Sequence, residues 1–337
     1  MSAPPPLGGF FGLEVPETGA GLWRHWQADR GIAYVNASSA LSALISARAP
    51  GQVWFPAFVC PEFPEAAPEA ARRYYALSDD LSPDTATLSP MAGDMVVAVN
   101  YFGRAPGAAW AEFAAARPEV TFVEDCAQTV CTGAPAWGHW RLYSPRKLVG
   151  VPDGGLLVPT GSQTLPCAPE EPPLAALQGA LAPKLARMER PMENALWHPM
   201  NQAQEAAHAV TCRGMSALSR RLLGLVDVER LSARRRENFG ILAESLGDWA
   251  VITDPDPAFV PFGFPVRLPA GQRDRVAQRL YAQNIFPAVH WRHLPVSRDF
   301  ARDWARADTY LTLPCDQRWE AGDMDRLSRA FRAALTP

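Results

Sequence analysis

The chain predicts an α/β fold, a mostly parallel sheet covered by helices, followed by a smaller α+β unit. Three observations predict it. Short apolar runs such as Val53–Phe55 and Met95–Val99 recur along residues 36–158 and are separated by helix-length segments. The runs are apolar with little alternation, the pattern of strands buried on both faces. The 337 residues, 48% of them apolar, exceed what one small core needs and suit one large domain plus a smaller one.

Residues 1–30 are rich in Gly, Pro and aromatics and read as an irregular arm. A helix starts near Ser38 and runs through Leu41, Leu44 and Ile45. A strand over Gln52–Phe55 stops at Pro56. The segment Glu62–Ala71 reads as a helix and Arg73–Leu77 as a strand, with residues 78–93 as loop. Strand Met95–Val99 leads into Asn100-Tyr101-Phe102-Gly103-Arg104. A helix over 108–116 precedes strand Val120–Glu124. A further strand ends near Tyr143, and Gly155–Val158 forms another. Residues 160–212 are rich in Pro and Ala and give no clear pattern. One long helical pattern with mixed charge begins around Met215 and suits a connecting helix with a solvent face. The remainder holds a strand at 264–268, a helix at 272–283, a segment at Pro287–His290 and a terminal helix over 321–335. The division expected is 1–212 for arm and large domain and 213–337 for connecting helix and small domain.

A net charge of −3 gives no footprint for nucleic acid. No apolar stretch approaches a membrane span. The N-terminus, MSAPPPLGGFF, lacks the charged region and apolar run of a signal peptide. The six cysteines form no CxxC pair and no disulfide framework, so free thiols in a reducing cytoplasm are expected and a structural zinc is not. The basic residues are almost all arginine; the two lysines are Lys147 and Lys184. Arginine supplies charge but no nucleophilic amine at neutral pH, so a lysine kept in such a chain points to amine chemistry.

Three features fall at strand ends or helix starts, where open α/β sheets bind ligands. In Asn36-Ala37-Ser38-Ser39-Ala40, small residues at a helix start let backbone N–H groups approach an anion; an ordinary Ser N-cap explains the same residues. Phe122–Gln128 puts Asp125 at the carboxyl end of an apolar strand. There it could keep a pyridine nitrogen protonated, or simply cap a βα turn. In Tyr143–Gly155, Lys147 sits in an apolar, Gly-rich loop beside Arg146. Desolvation and a neighbouring cation favour its neutral amine, which can attack an aldehyde. Ser144 could reach a phosphate oxygen. The alternative is a surface lysine next to a turn.

In their order, these segments resemble the DegT/DnrJ/EryC1/StrS aminotransferase family over nearly the whole chain. NASSALSALI is similar to its Ser-Gly-Thr-Ala-Ala-Leu helix start and VWFPAFVCP to its strand ending in Pro-Ala-Phe. VVAVNYFG resembles Val-His-Leu-Tyr-Gly, and VEDCAQ resembles Glu-Asp-Ala-Ala-Gln. SPRKLVGVPDGG is similar to its lysine loop, ERLSARRREN to the helix entering its small domain, and IFPAVHWRHLP to a late substrate-side segment. The resemblance implies the fold type I of pyridoxal-phosphate transferases, with a mostly parallel seven-stranded sheet and a small C-terminal α+β domain. It implies that Lys147 holds pyridoxal 5'-phosphate as a Schiff base and moves a proton between substrate and cofactor carbons. Asp125 pairs with the pyridine nitrogen, and Gln128 lies near the phenolic oxygen. Ala37, Ser38 and Ser39 at the helix start, aided by Ser144, bind the phosphate. A homodimer with the active site at its interface follows, with a small-molecule amino donor such as glutamate and a keto-sugar acceptor, nucleotide-linked.

The sequence departs from the family pattern at named places. Ala37-Ser38 stands for Gly-Thr, and Leu142 for the serine five residues before the lysine. Cys60 occupies the aligned position of the aromatic that stacks on the ring, a role Phe58 could take over. The Asn-Tyr-Arg substrate motif survives faintly in Cys212-Arg213-Gly214-Met215, where Arg213 could reach a neighbouring subunit's substrate or be a plain surface arginine. Those departures keep two other functions open: a pyridoxal-phosphate enzyme for a non-sugar substrate, and a non-catalytic cofactor-binding protein. His290 and His293 lack a third ligand for a metal, and the resemblance puts His290 on the substrate side. Phe10 and Phe11 could cover the active site or anchor the arm.

Overall fold

The fold is built from eleven strands and ten α-helices among the described residues. These are residues 7–12, 14, 21–105, 108–131, 134–207 and 209–336 of a computed structural model. Parts of the expected irregular arm, residues 1–6, 13 and 15–20, lie outside them. In chain order the elements are β1 (Leu7–Gly8), α1 (Leu22–His25), β2 (Ile32–Tyr34), α2 (Ala37–Arg48), β3 (Val53–Pro56), β4 (Arg72–Tyr75), β5 (Met95–Val99), α3 (Ala108–Ala115), β6 (Thr121–Asp125), β7 (Trp140–Tyr143) and β8 (Gly155–Pro159). Then come α4 (Leu174–Glu189), α5 (Asn194–Ala206), α6 (Ala217–Leu225), α7 (Val228–Leu246), β9 (Phe264–Arg267), α8 (Arg273–Tyr281), β10 (Ile285–Phe286), α9 (Ala301–Thr309), β11 (Tyr310–Leu313) and α10 (Ala321–Leu335).

The central sheet has seven strands in the order β2-β8-β7-β6-β5-β3-β4. From β4 to β7 every pairing is parallel, while β8 runs antiparallel to both β7 and β2. Every residue of β5 and β8 is buried, so both faces of the sheet are covered there, as the unbroken apolar runs require. In α2 the side chains of Ala40, Leu41, Leu44 and Ile45 form the buried face.

Four segments differ from the sequence expectation, each for a local reason. Glu62–Ala71 is not an α-helix but two 3₁₀ turns, Phe63–Ala66 and Glu69–Ala71. Pro68 removes a donor and holds Ala67 in extended backbone (φ −105°, ψ 149°), which interrupts the ladder. The single helix expected from Met215 is two, α6 and α7. Val226 is extended, and the Asp227 carboxylate accepts from Arg230 N to start α7 afresh. The unpatterned region 160–212 contains the α4–α5 pair, each helix with an internal proline, Pro183 and Pro199. The arm is not wholly irregular: it contributes β1 and α1.

The C-terminal part packs α7, α8 and α10 with the antiparallel pair β9–β11. The arm joins it, because β1 pairs in parallel with β10. Two arginines pin the arm's backbone. Arg187 donates to the carbonyls of Gly8 and Phe10, and Arg318 to those of Gly9 and Phe10. Arg318 is itself gripped by the buried Asp316 through Nε and Nη2, at 2.7 and 2.9 Å.

Two outcomes follow from this packing. A Cβ at Gly155 would lie 2.1 Å from the Asn36 carbonyl carbon and oxygen and 2.4 Å from Ala37 N, backbone atoms that cannot step aside. Gly155→Ala is expected to lower unfolding free energy by about 3 kcal/mol, the upper range for overpacking, seen as an earlier urea midpoint. Despite its burial, Arg318 holds the Asp316 carboxyl down at about 2, against an ordinary 3.8. A folded-state value below the unfolded one stabilises above the unfolded pKa and is lost as pH falls through the folded one. The stability difference between wild type and Asp316→Asn should therefore be flat above pH ~5 and shrink by about 2 kcal/mol as pH falls from ~4 to ~2. A difference that does not change with pH would remove Arg318 as the cause.

Candidate functional site

Parallel register brings the sequence-predicted residues to one edge of the sheet. Asp125, the last residue of β6, is level with Val99 at the end of β5 and Leu142 near the end of β7. Tyr143 is level with Leu156 of β8, and Gly155 with Tyr34 at the end of β2. The turns that leave this edge carry Ala37–Ser39 after β2, Cys60 after β3, Gln128 after β6, and Ser144 and Lys147 after β7.

The start of α2 is held by a side-chain cap and by close backbone packing. Asn36 caps it, accepting from Ser39 N at 2.8 Å, and its amide donates to Ala209 O at 3.1 Å. The Ala37 and Ser38 amides are among the first N–H groups of the helix, which have no partner inside it. Gly154 (φ +133°) donates to Val35 O, and Gly155 lets β8 press against the Asn36–Ala37 backbone. Ser39 is fully enclosed, and its hydroxyl accepts from Thr211 N at 3.0 Å. Ser144 is buried, and among the described residues nothing hydrogen-bonds its hydroxyl.

Lys147 closes a 3₁₀ turn, Pro145–Lys147, and is half-buried. Asp125, Cys60 and His290 all lie within electrostatic range of Lys147. Burial pushes the Asp125 carboxyl up, while Lys147 and the Ala127 amide, 2.9 Å from Oδ1, pull it part of the way back. The Cys60 thiol is pushed up to about 11, chiefly by burial, and donates to Glu62 at 2.7 Å. Gln128 accepts from Phe102 N at 2.6 Å through Oε1, which fixes the orientation of its amide. Phe102 holds a left-handed backbone (φ 58°) in that turn.

The C-terminal part supplies the roof. His290 is buried, its Nδ1 3.0 Å from Thr312 Oγ1, with its ring against Phe102, Phe262 and Trp291. Burial, with the Lys147 charge added, lowers its pKa to about 3, so the imidazole is neutral at physiological pH. His293 is exposed, so the two histidines do not share one environment. Phe58 is 0% exposed, its ring packed against Tyr101, Trp291 and Tyr310, so it is a core residue of this wall. Lys147 and Arg146 line a cavity of about 270 Å³ whose other walls include Phe10 and Phe11 of the arm. The arm residues therefore do both things the sequence left open: they anchor, through Arg187 and Arg318, and they border the lysine cavity.

Arg213 is not part of this convergence. Its side chain is exposed and borders a second cavity with Asn36, Asp153 and Thr211, beneath the α4–α5 pair. Its backbone belongs to the sheet edge: Val35 N donates to Arg213 O, and Gly214 bridges to Tyr34. Sequence reasoning missed the Arg146–Glu205 ion pair and the burial of Lys184. The one available signal was the scarcity of lysine.

No protein-family model matches the chain, and no curated protein sequence does. Solved structures match over nearly its whole length. A DegT DnrJ EryC1 StrS aminotransferase from Brucella abortus is 15% identical, with 93% of this chain and 87% of that one covered and a TM-score of 0.62. The sugar aminotransferase CalS13 from Micromonospora echinospora is 16% identical, with 98% and 100% covered and a TM-score of 0.62. NtdA from Bacillus subtilis, solved with bound cofactor PMP, is 12% identical, with 94% and 78% covered and a TM-score of 0.62. The chain thus has the fold of these aminotransferases, an α/β architecture around a mostly parallel seven-stranded sheet.

Proposed function

We propose that the protein is a pyridoxal-phosphate-dependent aminotransferase that moves an amino group from an amino acid such as glutamate to a keto-sugar, nucleotide-linked. One observation carries this reading: adjacent parallel strands bring the buried Asp125 carboxyl, at the end of β6, and the half-buried Lys147, in the turn after β7, to the same carboxyl edge of the sheet. The donor set fits the cofactor. A helix start with a glycine cradle suits a phosphate, and an enclosed strand-end acid suits a pyridinium. When bound, pyridoxal phosphate supplies an aldehyde for an amine and a ring that accepts electrons.

In this reading Lys147 holds the cofactor covalently and then shuttles the proton. Asp125 keeps the ring nitrogen protonated. Gln128 donates near the phenolic oxygen through the amide end that Phe102 does not use. Ala37, Ser38 and Ser144 take the phosphate, and Ser39 supports them from inside through Thr211. Cys60 borders the ring and His290 the substrate, as a neutral hydrogen-bonding group. The keto-sugar is inferred from what the similar proteins are called. We also infer a homodimer. Leu174, Met188 and Leu196 are exposed on the α4–α5 pair and Met192 in the turn between them, apolar side chains that a second copy would cover. Arg213, exposed on the same side, would serve the neighbouring subunit's substrate. The division into 1–212 and 213–337 and a cytoplasmic location belong to this reading; six free cysteines support the location. Among the described residues no helix is long and apolar enough to cross a membrane.

Protein reconstituted with pyridoxal phosphate should turn yellow, and glutamate should bleach it. Lys147→Ala should form no borohydride-reducible adduct and lose transamination by about 10²–10⁴-fold or more. A wild type that stays colourless, or an alanine variant that is still trapped by borohydride, would sink the reading.

A further inference from the structure

A second group of charges lies against the lysine cavity. The chain's other lysine, Lys184 on α4, is 4% exposed. Among the described residues its ammonium has neither a hydrogen bond nor an ion pair; its ring contact is Phe10, with the centroid 5.8 Å away. Burial, and then the charge of Arg146, push its pKa down to about 8, with Glu205 pulling the other way. Arg146 pairs with Glu205 through Nη1 at 2.5 Å, while its Nε is buried without a partner. An unsatisfied buried donor on a charged group is costly, and a ligand is one of the partners that can complete it.

Among the described residues the charges in this group do not balance. Arg146 and Lys184 are cations, Glu205 pairs with Arg146 and acts on Lys184, and Glu14 and Arg187 add one charge of each sign, leaving one positive charge in excess. The neighbouring charges are committed elsewhere. Arg187 donates to the arm carbonyls, Arg318 is held by Asp316, and Glu14 accepts from Gly150 N and Gln317. Arg146, Lys147 and Glu205 line the same cavity, and Phe10, Phe262 and Phe286 give it apolar walls. At about 270 Å³ it lies at the small end of ligand pockets, ~300–1,000 Å³, and suits an amino acid better than a nucleotide-linked sugar.

We propose that Arg146 binds the carboxylate of the amino donor, releasing Glu205 to Lys184 as it does so. The planar guanidinium matches a carboxylate with two parallel N–H donors, and Nη1 becomes one of them once Glu205 leaves it. Glu205 is the more exposed member of the pair, its side chain 45% exposed against 17% for Arg146. Lys184 is a positioning residue: it leaves Glu205 with a counter-ion after the exchange. A donor carboxylate neutralises the excess charge. This inference rests on the aminotransferase reading, because only there does an α-amino acid need to present its nitrogen at Lys147.

The test is a calorimetric titration of the pyridoxal-phosphate-loaded protein with glutarate, which carries the donor's carboxylates and no amine. Arg146→Gln is expected to weaken glutarate binding about 10–100-fold, the range for charge-assisted hydrogen bonds. Glu205→Gln removes the competitor and is expected to tighten binding by about 3–10-fold. Opposite signs from two neighbouring variants separate recognition from damaged folding. Unchanged affinity in both variants, weaker binding in both, or a wild type that does not bind glutarate overturns the assignment. The functional reading stands or falls separately, on whether wild type bleaches with glutamate.

Discussion

Parallel pairing of five neighbouring strands is the constraint from which the site follows. A parallel strand cannot return through a tight hairpin, so each connection crosses the sheet and every strand runs the same way. The turns leaving β2, β3, β5, β6 and β7 therefore crowd one edge. Residues as distant in sequence as Ala37, Cys60, Asp125 and Lys147 become neighbours without any of their side chains directing it. The antiparallel β8 completes the edge because its first residue, Gly155, lies beside the last of β2.

At that edge, backbone approaches backbone more closely than a side chain allows. Gly155 is tied to the Asn36–Ala37 peptide, and Asn36 to both the Ser39 amide in the first turn of α2 and the carbonyl of Ala209. The helix start is thereby held by Gly155, Ser39 and Ala209, while its first amides have no partner inside the helix. Rigidity of this kind is what lets a helix terminus act as an anion site instead of fraying.

The other half of the site comes from residues late in the chain and from its first dozen. His290, Thr312 and Phe262 close over Lys147, and the arm lies alongside them through β1 and its pairing with β10. Arginine carries this assembly. Arg187, Arg235 and Arg318 are largely buried and donate mainly to carbonyl oxygens, and Arg235 alone reaches Pro261, Phe262, Leu148 and Gln317. A guanidinium has five donors on one plane and keeps its charge when enclosed, so it can bridge several segments where an ammonium could not. Against that background the two lysines stand apart, and both lie at the site.

The sequence by itself determined much of the sheet. Continuous apolar runs marked β5 and β6 nearly to the residue, and Asp125 and Lys147 stood out beside strand ends, with Gln128 added by the family resemblance, because strand patterning is a local property. Elements defined by pairing rather than composition stayed hidden: three-residue β2, two-residue β1 and β10, and the charged segment of α9 before β11. The prolines of 62–71 were visible, but their effect depended on backbone angles that only the folded chain settles. Tertiary structure alone decided that Phe58 belongs to the core, that His290 faces Lys147 while Arg213 does not, and that Lys184 is buried beside Arg146 and Glu205. Burial and long-range electrostatics arise between segments far apart in sequence, and no short window along the chain contains both partners.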